Sequence, residues 1–202
     1  MKRFRKNHPG SVKMKNFFVV FCLVILSGCT SFRERETVGA VPVQPLVAMR
    51  VVVLETQITN ISLVTASYGP IGDFGPARRK AQSEVPLLQQ LLRQGVDSDF
   101  KAALSKYVDI EPNIRSNNRA PSLSFNPIGA MVECGNLNVV CQASLRVMVT
   151  LTGEGRRTLW SATYKVGAPM NGTNDAEVMR VFFADVISRL ESHRIIRKRP
   201  AS

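Results

Sequence analysis

The chain has 202 residues, is 45% hydrophobic and 21% charged, and carries a formal net charge of +12. That length supports one domain with a sizeable core. Its basic residues are scattered rather than gathered in a dense stripe with interleaved aromatics, which excludes the usual nucleic-acid partner and leaves an anionic lipid surface or an acidic protein.

The chain opens with six basic residues (Lys2, Arg3, Arg5, Lys6, Lys13, Lys15) and no acid, followed by an apolar run, Phe17 to Leu26. A transmembrane helix needs roughly 20 apolar residues. This run is half as long and fits the apolar part of a signal peptide, with its positive flank held in the cytoplasm. Small Ser27 and Gly28 suit a peptidase. The stretch Leu26-Ser27-Gly28-Cys29 resembles the lipobox of bacterial lipoproteins. The resemblance implies that the Cys29 thiol receives a diacylglyceryl group, that residues 1–28 are removed, and that the new amino group is acylated in turn, as with palmitate. Two or more acyl chains anchor stably where one does not. Read without the resemblance, the residues also allow an uncleaved buried helix, or an ordinary signal peptide with a chance cysteine. A chain beginning at Met14 carries a more compact signal of the same kind. Thr30 stands where aspartate would mark inner-membrane retention in the enteric version of the family, which implies the outer membrane, facing the periplasm. About half of the positive charge leaves with the signal.

Residues 29–45 are mixed and then Pro/Val-rich, without a period. They are expected to be a lipidated flexible tether, able to hold a domain some 50 Å off the membrane at about 3.5 Å per residue; the alternative is that part of them packs as an edge strand. A single domain is expected over 46–196, with a basic tail at 197–202. Leu46 to Leu54 is β-branched and apolar, a buried central strand, and the pattern resumes over Gln57 to Val64. Tyr68 to Pro76 carries three glycines and two prolines and reads as a loop. It lacks the spacings of a phosphate cradle.

Leu88, Leu91, Leu92, Val96, Phe100, Ala103, Leu104 and Tyr107 recur at helical spacing, so a helix is expected from Pro86 to Tyr107, with Pro86 in the first turn. Gly95 marks close packing or a bend. Short strands are expected at Val108 to Pro112 and around Ala130-Met131-Val132. Cys141 to Val166 alternates apolar and polar residues on either side of Gly153-Glu154-Gly155, an antiparallel hairpin with one buried face, and the sole tryptophan, Trp160, belongs to that core. Asn174 and Glu177 resemble a capping box before a last amphipathic helix that ends near His193.

Cys22 leaves with the signal. Cys134 and Cys141 have the wrong spacing for a zinc knuckle; in an oxidising compartment they are expected to close a small disulfide, the alternative being two buried thiols. No metal or cofactor is expected. After cleavage the only histidine is His193, and there is no GxSxG elbow or HExxH. Asp73, Glu84, Asp97, Asp99, Asp109 and Glu111 are scattered, so no catalytic residue is assigned and the protein is expected not to be an enzyme.

The element order implies an α+β fold, with a mainly antiparallel sheet and two helices packed on one face. A lipid anchor, one such domain and a late Leu-Trp-Ser strand make the chain similar to small envelope lipoproteins of the lipopolysaccharide-assembly, penicillin-binding-protein activator and curli-secretion types. That similarity implies an accessory role in an envelope assembly, with a protein complex or a homo-oligomer as partner, docking through a sheet edge or the 66–80 loop. The alternative is an auxiliary that carries a lipid or small ligand between helices and sheet.

Overall fold

The computed structural model describes residues 31–65, 75–112, 120–135, 140–167 and 175–200. The signal, the lipobox with Cys29, residues 66–74 of the expected docking loop and Asn174 lie outside the described residues.

Among the described residues, seven strands form one sheet. They are β1 (Ser31–Val38), β2 (Ala48–Val53), β3 (Ile61–Thr65), β4 (Asp109–Glu111), β5 (Ser122–Gly135), β6 (Val140–Thr152) and β7 (Thr158–Val166). The order is β1-β7-β6-β5-β2-β4, with β3 beside β5. The sheet is mixed, which corrects the expectation of a mainly antiparallel one. From β1 to β5 every pair is antiparallel, but β2 and β3 run parallel to β5, and β4 parallel to β2. A helical crossover joins β3 to β4, which run the same way in the sheet without pairing with each other, and a chain that re-enters a sheet in the same direction requires such a connection. Arg50 of β2 then pairs with both Glu111, at the end of β4, and Ser122, at the start of β5. β4 therefore ends level with the start of β5, on the other side of β2, and the two run in the same direction.

β2 and β3 lie end to end along one edge of β5, against Ser122–Phe125 and Ala130–Cys134 respectively. They are the continuing apolar pattern of Leu46 to Val64, interrupted where the chain leaves the sheet at 54–60. β5 is far longer than the short strand expected. Pro127 and Gly129 disguise it, because a register shift falls between them and leaves Ile128 exposed. Bulges are where strands tolerate proline and glycine.

The helices are α1 (Gly75–Gly95), which passes through a π-helical turn, Val96–Phe100, into the short α2 (Lys101–Leu104), and α3 (Asp175–Ser192). α1 begins eleven positions before the expected start, and Pro86 lies inside it. Proline within a helix costs roughly 3 kcal/mol. Here its ring is exposed, while Ala81, Val85, Leu88 and Leu92 are all buried at helical spacing. Burial at about 1.5–3 kcal/mol for each large aliphatic side chain outweighs the break. At Gly95 an added Cβ would stand 2.7 Å from Phe183 Cε2, so this glycine lets the two helices approach.

One face of the sheet is apolar. Leu123, Phe125, Leu145, Val147, Val149, Leu151, Trp160, Ala162, Tyr164 and Val166 are buried there. Phe125 meets Phe100 at 4.9 Å between ring centroids and Phe182 and Phe183 at 6.0 and 6.2 Å. Both helical segments thus touch the same strand residue from the same side, and their rings fill the space between the layers. Among the described residues no helix is long and apolar enough to cross a membrane.

At the β5–β6 end Cys134 and Cys141 are register partners and are joined by a disulfide. With a sequence separation of 7, loop closure contributes about 2–3 kcal/mol in the chain-entropy model. Dithiothreitol is expected to lower the unfolding free energy by about that amount, measured by urea titration; an unchanged midpoint would mean that the bridge constrains nothing.

Candidate functional site

The described chain begins two residues after Cys29, and it begins in the sheet. Ser31–Val38 lie within the stretch expected to be a tether, yet they form the edge strand β1, antiparallel to β7 from Ser31↔Val166 to Val38↔Trp160. The Arg33-Glu34-Arg35-Glu36 alternation is held by charge rather than by apolar burial. A register shift between Arg33 and Arg35 turns Glu34 outward, where its Oε2 accepts from Arg146 Nε at 2.9 Å and lies 2.8 Å from Nη2. Beside it, Lys165 pairs with Glu133. Charges and a bulge are also what keep an edge strand from pairing with other chains.

Glu36 is the centre of a clamp. Trp160 Nε1 donates to Glu36 Oε1 at 2.8 Å, and His193 Nε2, from the end of α3, is 2.9 Å from the same oxygen. With the carboxylate ionised, that second contact requires the proton on Nε2. Arg33 Nη1 is 3.0 Å from Glu36 Oε2. It makes no properly angled hydrogen bond, so this contact is an ion pair. Burial by itself would raise the Glu36 carboxyl; the bonds from Trp160 and His193 and the charge of Arg33 outweigh it and hold the group below the usual carboxylate range. Nearby, Tyr164 Oη donates to Asp185 Oδ2 at 2.9 Å. Burial and the Asp185 charge push that phenol far up, so it stays a donor. The clamp thus ties β1 to β7 and to the last helix. At the exit of β1, Gly39 N donates to Leu159 O at 2.9 Å, and a Cβ there would stand 2.1 Å from Thr158 O. Gly39→Ala is expected to cost about 1–3 kcal/mol, with faster amide exchange confined to β1; unchanged exchange in β1 would count against this fit.

A second feature lies across the sheet from β1, where the chain coming from β1 enters β2. There Leu46 N donates to Ile195 O at 2.8 Å. An open groove of about 840 Å³ is lined by Pro45, Val47, Tyr107, Arg197, Lys198 and Arg199, among others. The chain leading into the expected basic tail is fastened down, and within the tail Arg199 is held as well. Ile195 and Ile196 are buried, Arg199 N donates to Lys106 O at 3.1 Å, and Arg199 Nη2 pairs with Asp109 Oδ2 at 2.7 Å. That guanidinium holds the Asp109 carboxyl below its usual range. Arg197 and Lys198 are exposed, as is Val47, at 77%.

His193 faces Glu36 and Trp160 rather than a nucleophile. Asp97 is engaged by Lys101 and Asp109 by Arg199, separately, and Asp73 lies outside the described residues. Among the described residues no group of His, Cys, Asp and Glu could hold a metal ion. Sequence reasoning did not find Glu36 or the clamp. The only signals were a lone tryptophan and a lone histidine, each needing a polar partner, and neither says where that partner is.

No protein-family model matches the chain, and no curated protein matches it. Among solved structures, the chain is similar to the PelC dodecamer from Paraburkholderia phytofirmans, at 20% identity over 79% of this chain and 96% of that one, with a TM-score of 0.34. A point variant of that dodecamer gives 20% identity over 79% and 98%, with a TM-score of 0.32. Likeness of this size leaves function to be argued from the chain's own residues.

Proposed function

We propose that this protein is a non-enzymatic accessory lipoprotein of a cell-envelope assembly, held at the periplasmic face of the outer membrane by acylated Cys29. The observation that carries the reading is Leu26-Ser27-Gly28-Cys29 placed behind a basic, apolar leader and directly ahead of a strand that belongs to the fold. A lipid on Cys29 would therefore be a lipid on the domain itself. The exposed valines 41, 43 and 47 on the β1–β2 crossover and the basic groove beside them are the surfaces offered to an envelope protein or to a second copy of the chain. The reading in which cargo sits between helices and sheet is not kept, because the phenylalanine cluster occupies that space.

Crosslinking in intact cells, detergent extraction of the tagged, lipidated protein and identification of its partners tests the role. Stoichiometric recovery of an envelope complex or of a defined homo-oligomer is expected, and Val47→Asp should reduce it. Recovery of monomer alone, with a turnover activity lost on substituting one carboxylate, would overturn it.

A further inference from the structure

We infer that the domain stands directly on the membrane, on the end of the sheet where β1 begins, with the cationic first turns of α1 against anionic phospholipid headgroups. The inference rests on acylation of Cys29. Between that residue and Ser31 the chain reaches about 7 Å, at ~3.5 Å per residue, not the tens of ångströms of a free tether.

Register identifies which part of the fold is held there. Ser31 pairs with Val166, Val166 with Leu145, Leu145 with Ala130, and Ala130 with Ile61. Beyond that row β3, β5 and β6 continue to Thr65, Gly135 and Val140. Those extra residues, about 3.3 Å each, add roughly 16 Å, more than the reach of the linking chain. With the strands upright, their ends meet the bilayer surface. α1 enters from this same end. Gln89 donates to the Thr56 carbonyl, and the helix start at Gly75 lies about 21 Å back along the axis at 1.5 Å per residue, toward Thr65. α3 follows β7 from this end as well and finishes beside Glu36. Both helices therefore present their amino-terminal, positive dipole ends to the membrane.

The charges agree. Lys165, Arg146 and Arg180 at this end are paired with Glu133, Glu34 and Glu177. Arg79 and Lys80 are exposed, and no carboxylate among the described residues pairs with them. The sequence 66–74 just before the helix adds one acid, Asp73. Cations within a Debye length of an anionic bilayer are attracted to it. Charge alone would make Arg197 and Lys198 equal candidates. Distance decides between them: that groove lies beyond the opposite end of β1, whose eight residues put it about 26 Å farther away.

The test uses the lipidated protein, purified from its own host and reconstituted into vesicles of phosphatidylethanolamine with a minority of phosphatidylglycerol. A nitroxide is placed at Ser83→Cys, near the proposed contact, or at Glu154→Cys in the turn between β6 and β7. Nickel chelated to headgroups reports proximity by spin relaxation. Several-fold stronger relaxation at position 83 than at 154 is expected. That difference should shrink in pure phosphatidylcholine and on Arg79→Glu with Lys80→Glu. Equal relaxation at the two positions, or the greater effect at 154, would overturn the orientation; a difference indifferent to lipid charge and to the charge reversal would overturn the headgroup contact. The intact mass of the same sample separates the two layers of the argument: acylated Cys29 with equal relaxation sinks the orientation alone, whereas an unmodified residue 29 sinks the anchoring.

Discussion

Phe125→Ala is expected to lower the stability of the domain by about 3–5 kcal/mol, the range for emptying a buried aromatic site. Phe125 is fully buried and is a sheet ring touched both by the helical segment at Phe100 and by the helix carrying Phe182 and Phe183. Its removal opens a cavity between two helices and a sheet. Collapse to fill that cavity is hindered, because Gly95 already brings the helices to contact at Phe183. Phe125→Leu, which keeps most of the volume, should cost much less. Urea unfolding of the two variants measures the difference; equal midpoints would mean that the rings do not join the layers.

Glu36→Ala is expected to cost about 3 kcal/mol, since it strands the buried Trp160 N–H and the Arg33 charge together. Amide exchange should report the loss in β1 before the rest of the sheet, because an edge strand opens first. Glu36→Gln keeps an acceptor for Trp160 and should cost less at neutral pH. The acid limb distinguishes them further. The Glu36 carboxyl is depressed in the folded protein, so the stability it contributes is present above the unfolded carboxylate value of about 4.3 and is lost as pH falls through the lower folded value. Glu36→Gln should therefore lose less stability than the native protein on acidification from pH 6 to pH 3. Parallel acid profiles would show that the charge has no part in the clamp.

How much of this was legible in the sequence depends on what each element uses to declare itself. The β6–β7 hairpin was legible because Leu145 to Leu151 and Trp160 to Val166 alternate strictly and bury one face. The last helix was legible for the same reason at the helical period. The start of α1 was not, because Pro86 imitates a first turn; the stripe from Ala81 through Val85 to Leu88 and Leu92 was the better signal. β5 was hidden by Pro127 and Gly129, residues that a bulge accommodates. Parallel pairing of β2, β3 and β4 leaves no mark on the residues, since it follows from how the chain crosses over. β1 stood only as the alternative to a tether because the two glutamates in its row of four charged residues find their partners, Arg146 for Glu34 and Trp160 and His193 for Glu36, far away in sequence, and no local pattern records that. The resulting picture differs in one consequential way from a domain on a string: the residue proposed to carry the lipid leads straight into a strand clamped to the last helix.

The intact mass of the protein extracted from the membranes of its own host tests this account most directly. A chain beginning at Cys29 and heavier than its sequence by a diacylglyceryl group, with or without a further acyl chain, is the predicted result. A chain that keeps its leader, with no added mass on residue 29, would contradict the account.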